Sequence, residues 1–223
     1  MASHLNMVTQ EFSAQADAAE DYPDGRFYAI EGLDGSGKTT VSRKLFQKLS
    51  EESRREVVLT AEPTDCWLGD QVRRGADEDI SPYTEALLFV ADRATHTEKI
   101  RKWLSQGIIV LCDRYNPSTL AYQGALLRRE MGDEALEWLK VVSEHVIIRP
   151  DIIFLLDLSP EKAMERLSSR DTRSKFETLS YLKEVHDIYH RIAEEDSNYF
   201  LVDAARPVDE VVEEILRAIK NNL

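Results

Sequence analysis

The sequence predicts an α/β fold, a five-stranded parallel sheet with helices on both faces in three layers, and two observations carry that expectation. From Arg26 onward short apolar runs alternate with amphipathic stretches, the rhythm of successive strand–helix–strand units. Five of those runs are too short for helices, and most are rich in Val, Ile and aromatics: Phe27–Glu31, Val57–Thr60, Ile108–Cys112, Ile152–Asp157 and Tyr199–Val202. A chain of 223 residues is long enough for one such domain with a sizeable core.

In chain order, residues 1–24 hold five acids and no Lys or Arg. With little apolar surface to offset the entropy of ordering, they read as a disordered acidic tail. A single domain then spans 25–223. Its first strand, Phe27–Glu31, leads through a glycine-rich loop into a helix over Thr40–Leu49. After the second strand, Ser81-Pro82 supplies an N-cap and a first-turn proline, and Gly107 stands where that long helix should stop. Ser159-Pro160 opens a helix after the fourth strand, and Arg206-Pro207 opens the last helix after the fifth. No internal repeat or low-complexity linker interrupts the series.

Composition narrows the function. Net charge is −13, from 41 acidic and 28 basic residues, which disfavours nucleic acid as a partner, because duplex binding needs a basic face. No apolar run approaches the ~20 residues of a membrane helix, and the N-terminus lacks the flank and apolar stretch of a secretory signal. Two cysteines, Cys66 and Cys112, make no disulfide framework or zinc pattern, so a cytoplasmic setting is expected. An anionic small-molecule substrate must then be held by local donors.

The loop after the first strand, Gly32-Leu33-Asp34-Gly35-Ser36-Gly37-Lys38-Thr39 with Thr40 following, is the full Gly-x-x-x-x-Gly-Lys-Thr pattern in a strand–loop–helix setting. Its glycines let successive amides converge on phosphate oxygens, and the helix N-terminus adds partial positive charge. Lys38 is expected to reach the β and γ phosphates of ATP, and Thr39 to place its hydroxyl on Mg²⁺. The fold is therefore expected to be of the P-loop NTPase type.

A phosphate acceptor is sought beyond the strand ends. In the helix from Pro82, spacing puts Asp92 and Arg93 on the face of Phe89. That spacing alone favours the plainer reading, a core Phe beside a surface Asp–Arg pair. The third strand ends at Asp113-Arg114-Tyr115, with Ser118, Thr119, Tyr122 and Gln123 beyond. Arg114 can grip a phosphate with its planar fork, and Asp113 can orient a cation or an arginine.

Four segments in this order resemble the thymidylate kinase family across residues 27–220. They are Ile30–Thr40, Glu62-Pro63, Phe89-x-x-Asp92-Arg93 and Asp113-Arg114-Tyr115-x-x-Ser118-x-x-Ala121-Tyr122-Gln123. The resemblance implies transfer of the γ-phosphoryl of ATP to dTMP, in dTTP biosynthesis. It implies that Phe89 stacks on thymine, Arg93 bonds its O4, and Thr119 and Gln123 line the pyrimidine edge. Tyr122 would crowd the ribose 2′ position, Arg114 would hold the dTMP phosphate with Glu62 and Ser118 in the same pocket, and Asp34 would sit near the 3′-hydroxyl. It also implies a homodimer packed through helices. Ala61 and His186 stand where the family often has Arg.

A lid is expected around 166–177, where Arg166, Arg170, Arg173 and Lys175 cluster. The phosphate loop has no arginine of its own, and developing phosphoryl charge normally needs one. By the same resemblance Arg170 and Arg173 are the catalytic candidates, Arg166 lies nearer the ATP base, Glu177 orients the metal or an arginine, and the loop holding Ala204 contacts adenine. Asp113 is the second candidate around Mg²⁺. Because the acceptor phosphate has a second pKa of ~6, no general base is required. Another pyrimidine nucleotide or nucleoside kinase is the alternative reading, and an ATP-driven switch without an acceptor is the rival of a different class. His186 and His190, at helical spacing, read as a solvated helix face, and Trp67, Trp103 and Trp138 as core or dimer-interface residues.

Overall fold

In the computed structural model, which describes residues 24–168 and 178–222, the apolar runs become strands β1 (Arg26–Gly32), β2 (Val57–Ala61), β3 (Ile109–Asp113), β4 (Ile152–Asp157) and β5 (Tyr199–Asp203). All pair in parallel, in the order β2-β3-β1-β4-β5. The third strand sits one residue later than its apolar run suggests, because Asp113 is itself paired, with Ile30 on one side and Ala61 on the other.

Central β1 shows why these runs are nearly continuous in apolar residues: both faces are covered. Phe27 and Ala29 enter a cluster with Ile100, Leu104, Val110 and Cys112. Tyr28 and Ile30 enter the larger one with Val41, Leu45, Leu111, Phe154 and Ile215. The helices around the sheet are α1 (Lys38–Glu52), α2 (Trp67–Asp77), α3 (Pro82–Ser105), α4 (Asn116–Met131), α5 (Glu134–Ser143), α6 (Pro160–Ser168), α7 (Leu179–Glu195) and α8 (Val208–Asn222). Helix α1 packs on α8, α2 on α3, and α4 on both α5 and α7.

The ends of α3 follow the sequence signals. The Ser81 hydroxyl accepts from the Thr84 N–H at 3.1 Å, Pro82 occupies the first turn, and Gly107 closes the helix at φ 76°. Helix α1 begins at Lys38, two residues before its expected start, because Gly37 at φ 96° turns the loop directly into it. Of the tryptophans, Trp138 packs edge-on to Tyr83 at 5.7 Å and Trp103 lies against the α3-side core. Trp67 instead is 69% exposed, so it is not a core residue. Both cysteines are free.

Among the described residues no helix is long and apolar enough to cross a membrane. The acidic tail expected over 1–24 lies, except for Asp24, outside the described residues. So do Arg170, Arg173, Lys175 and Glu177 of the expected lid.

Candidate active site

The phosphate loop leaves β1 at its carboxyl end, beside the ends of β3 and β4. Gly32 is required there: at φ +138° it is paired with Leu156, and an added Cβ would lie 2.6 Å from the Leu156 carbonyl oxygen. Lys38, from the first turn of α1, folds back over the loop and donates to the Gly32 and Leu33 carbonyls at 2.9 and 2.7 Å. Burial, seconded by the nearby Arg114 guanidinium, pushes its ammonium down to about 7 against the pull of Asp34, Asp113 and Glu31.

Asp34 joins this loop to the end of β3. Its carboxylate is ion-paired with Arg114 and stands 4.0 Å from the Lys38 ammonium. Its backbone N–H donates to the Tyr122 hydroxyl at 2.7 Å. Burial works to raise the carboxyl, but Arg114 and Lys38 outweigh it and hold it below the ordinary carboxylate range. For Arg114 the balance runs likewise: burial opposes the charge, Asp34 overcomes it, and the guanidinium is more firmly protonated than usual.

Arg114 is held by unusual means. It is the one described non-glycine residue with positive φ, at 71°, a conformation L residues rarely adopt. Its N–H donates to the Ile30 carbonyl at 3.0 Å, so the chain turns sharply at the strand end. The guanidinium then lies 5.4 Å from the centre of the Tyr122 ring and donates to Ser118 Oγ at 3.3 Å. Beneath it sits Glu31, fully buried. That carboxylate accepts from the Tyr115 N–H at 2.7 Å, Ser118 Oγ at 2.6 Å and the Tyr189 hydroxyl at 3.0 Å. Burial raises its pKa against these bonds and the charge of Arg114.

Glu31 was not assigned a role from sequence. The signal was present: a carboxylate inside a strand covered on both faces must have several donors or a cation nearby. Ser118, expected to touch the substrate, lies between Glu31 and Arg114, donating to the first and accepting from the second.

The second cluster lies along α3. Arg93 is 1% exposed; it is ion-paired with Glu62 at 2.7 Å and donates to Thr119 Oγ1 at 2.8 Å and Asn116 Oδ1 at 3.3 Å. Its guanidinium also lies 5.5 Å from the Tyr115 ring centre. The other Glu62 oxygen meets His96 Nδ1 at 2.9 Å, and His96 Nε2 meets Thr60 Oγ1 at 2.7 Å. Asp92 faces away from this group, bonding the Thr64 N–H at 2.8 Å. The Asp92–Arg93 pair is therefore no surface ion pair, and half-buried Phe89 lies one turn before it on α3. His96 escaped the sequence reading because a lone histidine on a helix carries no signal until its carboxylate is placed. Gln123 Nε2 donates to the buried carboxylate of Glu85 at 3.0 Å.

On the nucleotide side Arg166 bridges two loops. It donates to the Gly35 carbonyl at 3.3 Å and to the Ala204 carbonyl at 3.0 Å, which joins the phosphate loop to the expected adenine loop. The histidine pair differs from expectation. His186 and His190 are only partly exposed, and both rings turn to Asp157, at 3.2 and 3.1 Å.

The residues expected around Mg²⁺ do come together: Thr39 Oγ1 donates to Asp113 Oδ2 at 2.7 Å. Asp113 Oδ1 is buried without a hydrogen-bond partner. A hydroxyl and a carboxylate with one unpartnered oxygen form a hard donor set, which fits Mg²⁺ held jointly with substrate phosphates.

With the geometry in place, comparison with known proteins gives a consistent result. A family model described as Thymidylate kinase matches residues 30–215. The chain is 40% identical over 198 residues to a protein of Methanosarcina barkeri named "Probable thymidylate kinase", covering 87% of this chain and 96% of the relative. A protein of Pyrococcus horikoshii with the same name is 39% identical over 208 residues, covering 89% of this chain and 98% of the relative. One of Methanococcoides burtonii, again so named, is 37% identical, with 87% and 96% covered.

Proposed function

The chain belongs to the thymidylate kinase family and is an ATP-dependent phosphotransferase that converts dTMP and ATP to dTDP and ADP; we propose that Arg114 holds the acceptor phosphate while Lys38 serves the donor. The observation that carries this division is the shared carboxylate of Asp34, ion-paired with Arg114 and 4.0 Å from Lys38. Two cations that must attend two phosphorylated ligands are thereby held side by side.

In this reading the phosphate loop, with Gly32, Leu33, Gly35, Ser36, Gly37 and Thr40 around Lys38 and Thr39, cradles the ATP phosphates through its amides. Lys38 leaves the Gly32 and Leu33 carbonyls for the β and γ oxygens. The dTMP phosphate, mostly dianionic at neutral pH, needs no general base. One of its oxygens attacks the γ phosphorus in line while ADP departs, so the protein's task is alignment and charge neutralisation. Mg²⁺ bound with ATP, and reached by Thr39 and Asp113, would supply further neutralisation of the β and γ oxygens. Arg170 and Arg173 are proposed to add the remaining positive charge, and Arg166 with Ala204 to border the adenine.

For the acceptor base, Phe89 stacks on thymine and Arg93 addresses O4. Glu62 and Asn116 hold the Arg93 plane, and Thr119 and Gln123 complete the pyrimidine edge. Tyr122 excludes a ribose 2′-hydroxyl. Support for this comes from the rigidity of the Arg93 cluster, since a buried, multiply bonded guanidinium cannot swing to suit other bases. The 5-methyl group alone contributes only ~1 kcal/mol, so dUMP is the expected poorer substrate. We further infer a cytoplasmic homodimer.

A coupled ADP-release assay with Mg-ATP and dTMP, dUMP, UMP, dCMP or thymidine tests this reading. Turnover dominated by dTMP supports the base pocket. Turnover dominated by another acceptor would keep the phosphotransferase and discard the thymine assignment.

A further inference from the structure

Strand β4 ends at Asp157, and helix α7 presents His186 and His190 to it from adjacent turns. Spacing of four residues stacks the two imidazoles on one helix face, with ring centres 4.3 Å apart. Their Nε2 atoms approach the same Asp157 oxygen, at 3.2 Å from His186 and 3.1 Å from His190. One ligand atom from each of the three residues lies within 4.8 Å of the others. Zinc–nitrogen and zinc–oxygen bonds of about 2.0–2.1 Å at a tetrahedral angle place ligand atoms about 3.3 Å apart. The two histidine–carboxylate separations already approach that spacing.

We propose that Asp157, His186 and His190 form a binding site for a transition-metal ion of the Zn²⁺ class, distinct from the Mg-ATP site. Two imidazoles and one carboxylate suit Zn²⁺ or Co²⁺ and do not suit Mg²⁺, which wants an all-oxygen shell. The side chains are 40%, 25% and 32% exposed for Asp157, His186 and His190. An ion can therefore enter and keep water at its remaining position. His186 Nδ1 lies 3.8 Å from a further carboxylate, Asp187, whose charge favours a bound cation. The nearest lysine on the helix, Lys183, is occupied by Glu161 at 2.9 Å.

The ion would fasten α7 to the sheet. Asp157 also accepts, through its carbonyl, the Ala204 N–H at 2.8 Å, and its neighbour Leu156 is paired with Gly32. Holding Asp157 thus steadies a strand end that borders two nucleotide-facing loops. The inference does not rest on the phosphotransferase reading, and a structural ion here takes no part in the chemistry.

The competing arrangement is two neutral imidazoles donating to one carboxylate oxygen, with no ion. Chelator-treated full-length protein, free of nucleotide, is titrated with Zn²⁺ by calorimetry and with Co²⁺ by visible absorption. Expected are one ion per chain, ligand-field bands of a nitrogen–oxygen site without a thiolate charge-transfer band, and a higher Tm with Zn²⁺ but not with Mg²⁺. His190→Asn and His186→Asn should each weaken Zn²⁺ binding by at least about a hundredfold. Turnover with Mg-ATP should stay unchanged. Absence of saturable one-to-one binding to the wild-type chain overturns the proposal, as does undiminished binding in both variants or a thiolate band implicating a cysteine.

Discussion

At Arg114 a strained backbone and a doubly held side chain coincide. A positive φ costs of order 1–3 kcal/mol, and the surrounding bonds to Ile30, Asp34 and Ser118 are what sustain it. We expect Arg114→Ala to cut dTMP turnover by about a hundredfold or more while ATP affinity, followed by fluorescent-nucleotide displacement, is unchanged. Arg114→Lys should restore only a small part, since an ammonium has no planar fork. Full recovery with Lys would reduce the role to bulk charge. Lys38 yields a prediction of a different kind. Its ammonium is depressed to about 7 from an ordinary 10.5, so between those values the unfolded chain binds the extra proton. Stability relative to a Lys38→Met variant should therefore rise as pH increases from about 7 towards 10, with a limiting slope of about 1.4 kcal/mol per pH unit. Urea titrations at several pH values read the difference directly; a flat or falling difference sinks the argument.

Elements differ in how openly the sequence announces them. Helix α3 is bracketed by Ser81-Pro82 and Gly107, and both signals act as physical stops. Helix α4 is not announced, because Asn116 to Ala125 are all buried. A helix enclosed on every side has no polar stripe, and thus no amphipathic period to read. The same enclosure explains why the motif residues on it were legible by chemistry while their partners were not. Arg93 was nameable, but the Glu62–Arg93–His96 group depends on the end of β2 meeting the middle of α3, a contact between distant segments. That group gives a test at this scale. Glu62→Ala leaves Arg93 buried without its counter-charge and should destabilise the fold by about 3–5 kcal/mol, read as a lowered urea midpoint. Glu62→Gln, which keeps one acceptor, should cost less. Equal losses would mean that volume rather than charge matters there. Tyr122→Phe removes the hydroxyl that anchors the Asp34 N–H but keeps the ring. It should lower kcat more than it alters preference for deoxyribose, whereas Tyr122→Ala should erode that preference as well; equal preference in both would place the 2′ discrimination elsewhere.

For the whole molecule, the five-stranded parallel sheet was legible from its short apolar runs: β1, β3 and β4 are apolar because they are largely buried, while β2 and β5 keep apolar runs at the half-covered edges. Strand order was not, since it depends on long crossovers that leave no local mark. Assembly is likewise a property of surfaces: Leu87 on α3 is 48% exposed and Trp67 on neighbouring α2 is 69% exposed. Sedimentation should give a species of twice the 25.5 kDa chain mass, and Leu87→Glu should shift it to the monomer; a wild-type monomer would remove the dimer from the proposal. Asp34 also stands between Lys38, the proposed donor-side cation, and Arg114, the proposed acceptor-side one. Loading either cation with phosphate changes the electrostatic partner available to the other. On the proposed division we expect the two substrates to be energetically coupled, and that coupling to be reciprocal. Whatever factor Mg-ADP imposes on dTMP affinity, dTMP imposes on Mg-ADP, and neutralising Asp34 as Asn should bring that common factor towards unity.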